Sequence, residues 1–212
     1  MSNREKLEAG NDVFDVSRET WERLQLYADL VRKWQKTINL VSPSTVDNLW
    51  SRHILDSLQI YRYNQQPKTW LDMGSGAGFP GIVTGICLAE NEKGWVHLIE
   101  SNQKKAAFLR NCIIKTGARA SVHPVRVSNA IKDIASVDAI SARALASLSD
   151  LLEMSAPWFA KNEKCCAWFH KGRDYAAELD IARSRWTFDL VKYDSQIEDD
   201  SVILSISHLR QK

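Results

Sequence analysis

Asp72, Gly74, Gly76 and Gly78 occupy alternate positions of Trp70-Leu-Asp-Met-Gly-Ser-Gly-Ala-Gly-Phe-Pro-Gly81, which begins apolar, becomes dense in glycine and then turns helical in character. Glycine there lets the backbone take positive φ and lets a ligand approach where a Cβ would collide. Pro80 suits a first helical turn, where its missing N–H costs nothing, and the following helix offers free N–H groups and a positive dipole end to an electron-rich ligand. A carboxylate at Asp72 could accept a hydrogen bond from an ammonium group or a water. Glu100 closes the apolar run Trp95-Val-His-Leu-Ile, 22 positions beyond Gly78, about where a second strand presents a carboxylate to ribose hydroxyls. Two cations complete the set. Arg143 ends Val137-Asp-Ala-Ile-Ser-Ala-Arg143, and Lys171 ends Cys165-Cys-Ala-Trp-Phe-His-Lys171 ahead of Gly172. Charge-assisted pairing with a carboxylate, base or phosphate is the strongest chemistry open to Arg143. Lys171 is a candidate for a phosphate. The plainer alternatives are a structural ion pair for Arg143 and a solvated strand end for Lys171.

These residues need a sheet to carry them. Strands are expected at Thr69–Met73, Trp95–Glu100, Ser121–Val127, Val137–Arg143 and Cys165–Lys171, with Pro124 easiest to accept at a sheet edge. Helices are expected from Ser17, which can serve as an N-cap, at Pro80–Glu90, around Ala106, Phe108, Leu109 and Ile113, at Leu145–Ala156 and at Asp174–Arg185. In a further helix bearing Trp50–Leu58, Arg52 or His53 could meet Asp56 at helical spacing. Trp186–Tyr193 and Ser201–Ser207 read as a closing antiparallel pair. Alternating strands and helices predict an α/β fold with a doubly wound parallel sheet, whose carboxyl edge would gather the glycine loop, Glu100, Ser128-Asn129, Arg143 and Lys171. Residues 1–64 are expected to form an arm, poorly anchored over 1–16, and helices packed on a core of residues 65–212, the whole making one compact unit.

Composition narrows the function classes. A chain of 212 residues with 44% hydrophobic and 25% charged residues is ordinary for one globular α/β domain. The charged opening Met1-Ser-Asn-Arg-Glu-Lys-Leu-Glu is not a secretory signal and no apolar run approaches membrane-spanning length, so a cytoplasmic protein without membrane association is expected. Cys87, Cys112, Cys165 and Cys166 show no C-x-x-C spacing, which favours reduced thiols over a disulfide framework or a metal site. A net charge of +2 does not announce a polyanion partner. Its distribution says more: Ser101 to Lys132 holds no Asp or Glu but contains Lys104, Lys105, Arg110, Lys115, Arg119, Arg126 and Lys132, either a solvated face or a phosphate-contacting surface.

Gly76-Ala-Gly78-Phe-Pro-Gly81 satisfies the dinucleotide pattern G-x-G-x-x-G, which keeps an NAD-dependent oxidoreductase open. With Asp72, the D-x-G-x-G-x-G run resembles instead the first motif of class I S-adenosylmethionine-dependent methyltransferases. Asn39-Leu40, Arg52-His-Ile-Leu-Asp-Ser-Leu58, Asp72–Gly81, Ser141-Ala-Arg-Ala-Leu-Ala-Ser-Leu148 and Lys171-Gly172, in that order, are together similar to the bacterial RsmG family, also called GidB. The resemblance spans about Ser17 to Asp180. It implies a Rossmann-like class I methyltransferase with a seven-stranded, mostly parallel sheet and an N-terminal helical extension, using S-adenosyl-L-methionine to methylate guanine N7 in a loop of small-subunit (16S) ribosomal RNA. It implies small-subunit RNA or the small subunit as partner, with no obligate protein partner evident. Cofactor contacts are implied at Gly74, Phe79, Val127, Ser128 and Arg143, beside Asp72, Gly76, Gly78 and Glu100, and Arg143 and Lys171 are the candidate catalytic residues. After Arg126 the family often has a small residue and then Glu, whereas Val127, Ser128 and Asn129 follow here; His170 stands where Leu is common. A non-catalytic ribosome-binding factor that keeps the cofactor fold is the alternative from another class.

Overall fold

The computed structural model describes residues 16–64, 66, 68–90 and 93–212. The arm expected at the N-terminus lies, but for its last residue, outside these. The strands are β1 (Thr69–Met73), β2 (Trp95–Ile99), β3 (Ala120–His123), β4 (Ala139–Arg143), β5 (Cys166–Lys171), β6 (Trp186–Asp194) and β7 (Val202–Gln211), largely buried in β1, β4 and β5 and largely open in the edge strand β6. They form one sheet in the order β3-β2-β1-β4-β5-β7-β6. The first five run parallel, and β7 pairs antiparallel with both β5 and β6. Strand order reverses between β1 and β4, the switch point outside which open α/β sheets bind ligands.

Alternate side chains feed two cores. Trp70, Leu98 and Trp168 join one cluster with helices α1 (Arg18–Gln35), α2 (Asp56–Tyr63), α3 (Gly81–Leu88) and α4 (Gln103–Thr116). Leu71, Ile140 and Phe169 join the other, beneath α5 (Val127–Ala130), α6 (Leu148–Phe159) and α7 (Tyr175–Arg185). All eight residues of α3 are buried, as a helix apolar on every side must be.

Some elements depart from expectation, and in three places the reason is local. β3 stops at His123 instead of reaching Val127, because Pro124 has no N–H for the ladder; it does lie at the sheet edge. α6 begins at Leu148 rather than Leu145, because Ser147 caps it by accepting from the Asp150 N–H at 3.3 Å while donating to Asp150 Oδ2 at 2.6 Å. Trp50–Leu55 forms a π-type turn, whose i→i+5 bonding upsets the helical spacing that would pair Arg52 or His53 with Asp56. Asp56 instead meets Arg143 and His170 from the sheet edge.

Ser17 caps α1 by accepting from the Thr20 N–H, and Tyr27 of that helix donates its buried hydroxyl to the Ala77 carbonyl oxygen at 2.6 Å. This bond joins the N-terminal helix to the glycine loop. Tyr27→Phe leaves a buried carbonyl unpaired and should cost about 1–3 kcal/mol. Urea denaturation checks this, and an unchanged midpoint would show that the bond adds nothing to stability.

Candidate functional site

A cavity of about 740 Å³ opens at the carboxyl ends of β1, β2 and β4, lined by Gly74, Gly76, Phe79, Ile99, Glu100, Lys105, Val125–Ser128 and Arg143–Leu145. The N-terminal part closes one side through Leu40–Ser42, Thr45 and His53. The glycine loop supplies its floor from backbone. Gly78 has φ +99°, and a Cβ there would strike Ile82, the Tyr27 hydroxyl and Leu109 at 3.0 Å or less; it packs the loop from behind and does not line the cavity. Asp72 is also absent from the lining. It is fully buried, accepts from Ser141 Oγ at 2.7 Å, and turns its second oxygen toward Gly81, where a Cβ would sit 2.5 Å away. Burial raises its pKa to about 6, against the pull of its Ser141, Ser75 and Gly81 donors. Asp72 is thus placed as a strut under the loop rather than at the ligand surface.

Glu100 borders the cavity with its carboxylate anchored, Oε2 accepting from Gly76 N–H at 2.8 Å and Oε1 from Asn102 N–H at 2.7 Å. Each oxygen retains acceptor capacity of the kind vicinal ribose hydroxyls require. Ile99, Val125 and Val127 give an apolar slot beside Ser128, suited to a flat heteroaromatic ring. The lining therefore fits a nucleoside cofactor.

Arg143 stands at the far wall. Its Nη2 donates to the Arg52 carbonyl oxygen and to His53 Nδ1, both at 2.7 Å, and Nη1 lies 3.2 Å from Asp56 Oδ2. His53 must then carry its proton on Nε2, which donates to Thr45 Oγ1 at 2.9 Å; Thr45 Oγ1 in turn donates to the Ser42 carbonyl oxygen at 2.8 Å. The chain Arg143–His53–Thr45–Ser42 ties the sheet edge to the cavity wall. Burial, then the Arg143 and Arg52 charges, hold the His53 pKa at about 3. Lys171 lies away from this cavity. Its Nζ pairs with Glu178 at 2.6 Å and donates to the Ala146 carbonyl oxygen at 3.1 Å, while Glu178 also accepts from the Leu148 N–H. Together they fasten the loop over 144–147. The site thus gathers Gly74, Gly76, Phe79, Glu100, Val127, Ser128 and Arg143. Lys105, Leu145 and the Leu40–Thr45 wall join it without a signal in their own spacing.

The profile of the GidB family, described as rRNA small subunit methyltransferase G, matches residues 20–200. The chain belongs to the GidB family. Among other GidB proteins, the ribosomal RNA small subunit methyltransferase G of Rhizobium meliloti (strain 1021) is 58% identical over 198 residues, 93% of either chain. The protein of the same description from Rhizobium leguminosarum bv. trifolii (strain WSM2304) is 58% identical over 196 residues, covering 92% of this chain and 96% of the other. Among solved structures, the ribosomal protein L11 methylase of Lactobacillus delbrueckii subsp. bulgaricus superposes with TM-score 0.55 at 18% identity, covering 74% of this chain and 78% of its own. Precorrin-6y C5,15-methyltransferase of Geobacter metallireducens GS-15 gives 0.52 at 12%, covering 80% and 90%. At such identities these show a shared Rossmann-like fold for this GidB chain.

His53 generates a pH prediction. Its ordinary value of 6.5 falls to about 3 in the fold, so below pH 6.5 the unfolded chain takes up a proton that the folded chain refuses. The stability this group contributes is complete above pH 6.5 and is lost as pH falls toward 3. Asp72, shifted upward, acts in the opposite sense but equally in wild type and in His53→Gln. Urea titrations between pH 7 and about 4 should show a smaller loss in His53→Gln; equal losses would mean that His53 titrates normally.

Proposed function

We propose that the chain transfers the methyl group of S-adenosyl-L-methionine to N7 of a guanine in small-subunit (16S) ribosomal RNA. Membership of the GidB family supports the methyl donor and the RNA class. The choice of N7 rests on one observation: the imidazole nearest the cavity wall cannot act as a base, since His53 Nδ1 already receives Arg143 and its pKa is held at about 3. Glu100, the carboxylate that lines the cavity, is anchored on the Gly76 and Asn102 N–H groups, and Asp56 behind the wall is paired with Arg143. Guanine N7 has an in-plane lone pair and no proton to remove, so it suits this wall, whereas an amino group would need a proton acceptor.

S-adenosyl-L-methionine, when bound, supplies an electrophilic methyl group on a sulfonium. Glu100 would hold ribose hydroxyls, the slot of Ile99, Val125 and Val127 the adenine, and the Gly74–Gly76 backbone the methionine end. Transfer to the N7 lone pair would release no proton from the base, so the chain's residues would have to orient the base and need not accept a proton. Arg143 fixes the wall against which the base is aligned, and Lys171 positions the 144–147 loop. Orientation of this kind can supply roughly 7–11 kcal/mol.

The RNA phosphate surface is narrower than the acid-free stretch. Lys105 and Arg126 stand at the cavity, with exposed Lys104 beside them. Lys115 lies at the other end of α4, on the order of 15 Å away, and Arg119 is spent on the Gly94 carbonyl oxygen and the Trp95 ring. Among the described residues no helix is long and apolar enough to cross a membrane. A cytoplasmic location, where ribosomes are built, follows from this reading. Residues 16–64 act as one unit with the sheet domain, because Leu40–Ser42, Thr45 and His53 complete the cavity.

Incubation with methyl-labelled cofactor should place label on small-subunit RNA, presented naked and as whole subunits, with a guanine mass gain of one methyl. S-adenosylhomocysteine should raise the melting temperature and NAD should not; the reverse pattern, or stabilisation without transfer, would establish a rival. Arg143→Lys retains a charge for Asp56 but cannot also reach His53 and the Arg52 carbonyl in the same fork, and should slow transfer roughly tenfold or more. Arg143→Ala adds a second effect by stranding buried Asp56.

A further inference from the structure

A second cavity, about 300 Å³, lies at the carboxyl ends of β4 and β5 and shares Arg143 and Ala144 with the first. These two residues form the partition between the cavities, and Ala144 holds φ +51°, a left-handed conformation that a residue with a Cβ seldom takes. Four carboxylates border the smaller cavity: Asp56, Asp174, Glu178 and Glu198. Three are committed to cations, Asp56 to Arg143, Glu178 to Lys171 and Glu198 to Arg52. Asp174, exposed at the rim, has no side-chain partner among the described residues. Deeper in the wall, His170 donates from Nε2 to the Asp56 carbonyl oxygen at 3.0 Å, which leaves Nδ1 a buried acceptor with no donor. Arg143 Nη1, on the partition, likewise lacks a well-formed hydrogen bond.

Two acceptors lack donors around a space the size of the smallest ligand pockets, His170 Nδ1 in the wall and Asp174 at the rim, while Arg143 Nη1 faces Asp56 at 3.2 Å. Adenine presents an amino donor beside the N1 acceptor, the opposite order. Guanine presents the O6 acceptor beside two donors, N1–H and the 2-amino group. A free carboxylate next to an RNA site also repels phosphates unless it accepts from such donors. We infer that this cavity receives the acceptor guanine and that Asp174 reads its N1–H and 2-amino edge. The inference rests on the methyl-transfer reading above and adds to it the residue that selects the base. Asp174 is a specificity-determining residue, not a catalytic one, since it faces the edge of the base away from N7.

The test uses full-length protein and undermethylated small-subunit RNA carrying guanine, or inosine in its place, at the nucleotide that the wild-type protein methylates. Inosine keeps O6, N1–H and N7 but lacks the 2-amino group. Wild type should favour guanine about tenfold in kcat/KM, and Asp174→Ala should lower kcat/KM on guanine about tenfold to a hundredfold, the range for a lost hydrogen bond to a charged group. The same variant should bring the guanine-to-inosine ratio to within about twofold of unity. Asp174→Asn, which keeps one acceptor, should fall between. Thermal stabilisation by S-adenosylhomocysteine should be unaltered in both variants, which separates base reading from damage to the donor cavity. An active wild type whose guanine-to-inosine ratio survives in Asp174→Ala would overturn the assignment of Asp174 alone. A wild type that methylates no guanine would overturn the reading beneath it.

Discussion

The Arg143 guanidinium is the interaction on which the remaining geometry depends. It reaches from the end of β4 to Asp56, to the Arg52 carbonyl oxygen and to His53, and so joins the parallel sheet to the π-type turn that precedes α2. Burial lowers its pKa, against the favourable pull of Asp56, yet a guanidinium in this range stays charged. Removing one member of a buried pair costs about 3–5 kcal/mol, mainly because the other charge is left bare. Since His53 continues the contact to Thr45 and Ser42, the same cation also determines where the cavity wall stands. A helical extension that looks peripheral in the chain is a structural part of the pocket.

The opposite wall works by different means. The glycine loop is held from behind by Tyr27 on the Ala77 carbonyl and from below by Asp72, whose approach to Gly81 leaves no room for a Cβ. Glu100 takes two backbone N–H groups and thereby fixes both the Gly76 amide and its own carboxylate. Donor-side geometry therefore comes from backbone amides and buried struts, with few mobile charged side chains. The acceptor side is built from paired charges, whose positions respond to changes at a distance.

What could be read from sequence follows the same division. Strands β1, β4 and β5 are legible to within two residues at each end because each is a short run buried on both faces, closed by glycine after β1 and by Arg143 and Lys171 in β4 and β5. The glycine loop and Glu100 were legible because their spacing is set by the βαβ unit itself. Asp72 was legible as a motif residue but not as a strut, because burial beneath α3 depends on how the helix packs. Arg143 could be placed at the carboxyl edge, but its partners could not: Arg52 and His53 lie about ninety residues away, on a turn whose π character defeats the i, i+4 rule. Lys171 read as an open cation because Glu178 comes within reach only when α7 folds back over the end of β5. The Ser147 cap shows in the sequence only as its three-residue spacing to Asp150.

These features explain why a network of titratable groups can surround a reaction that moves no proton. His53 is locked in one tautomer by Arg143 on one nitrogen and Thr45 on the other, and Asp56 is neutralised by the cation it faces. Each is held by these partners, so their contribution is positional. Near-attack geometry loses its advantage over small displacements. A frame made of charge-assisted contacts resists such displacement better than one made of single neutral hydrogen bonds. The cost is that no part of the frame can be neutralised alone without leaving a buried charge behind. Arg143 and Ala144, which line both cavities, are therefore held in fixed relation to the glycine loop by this frame.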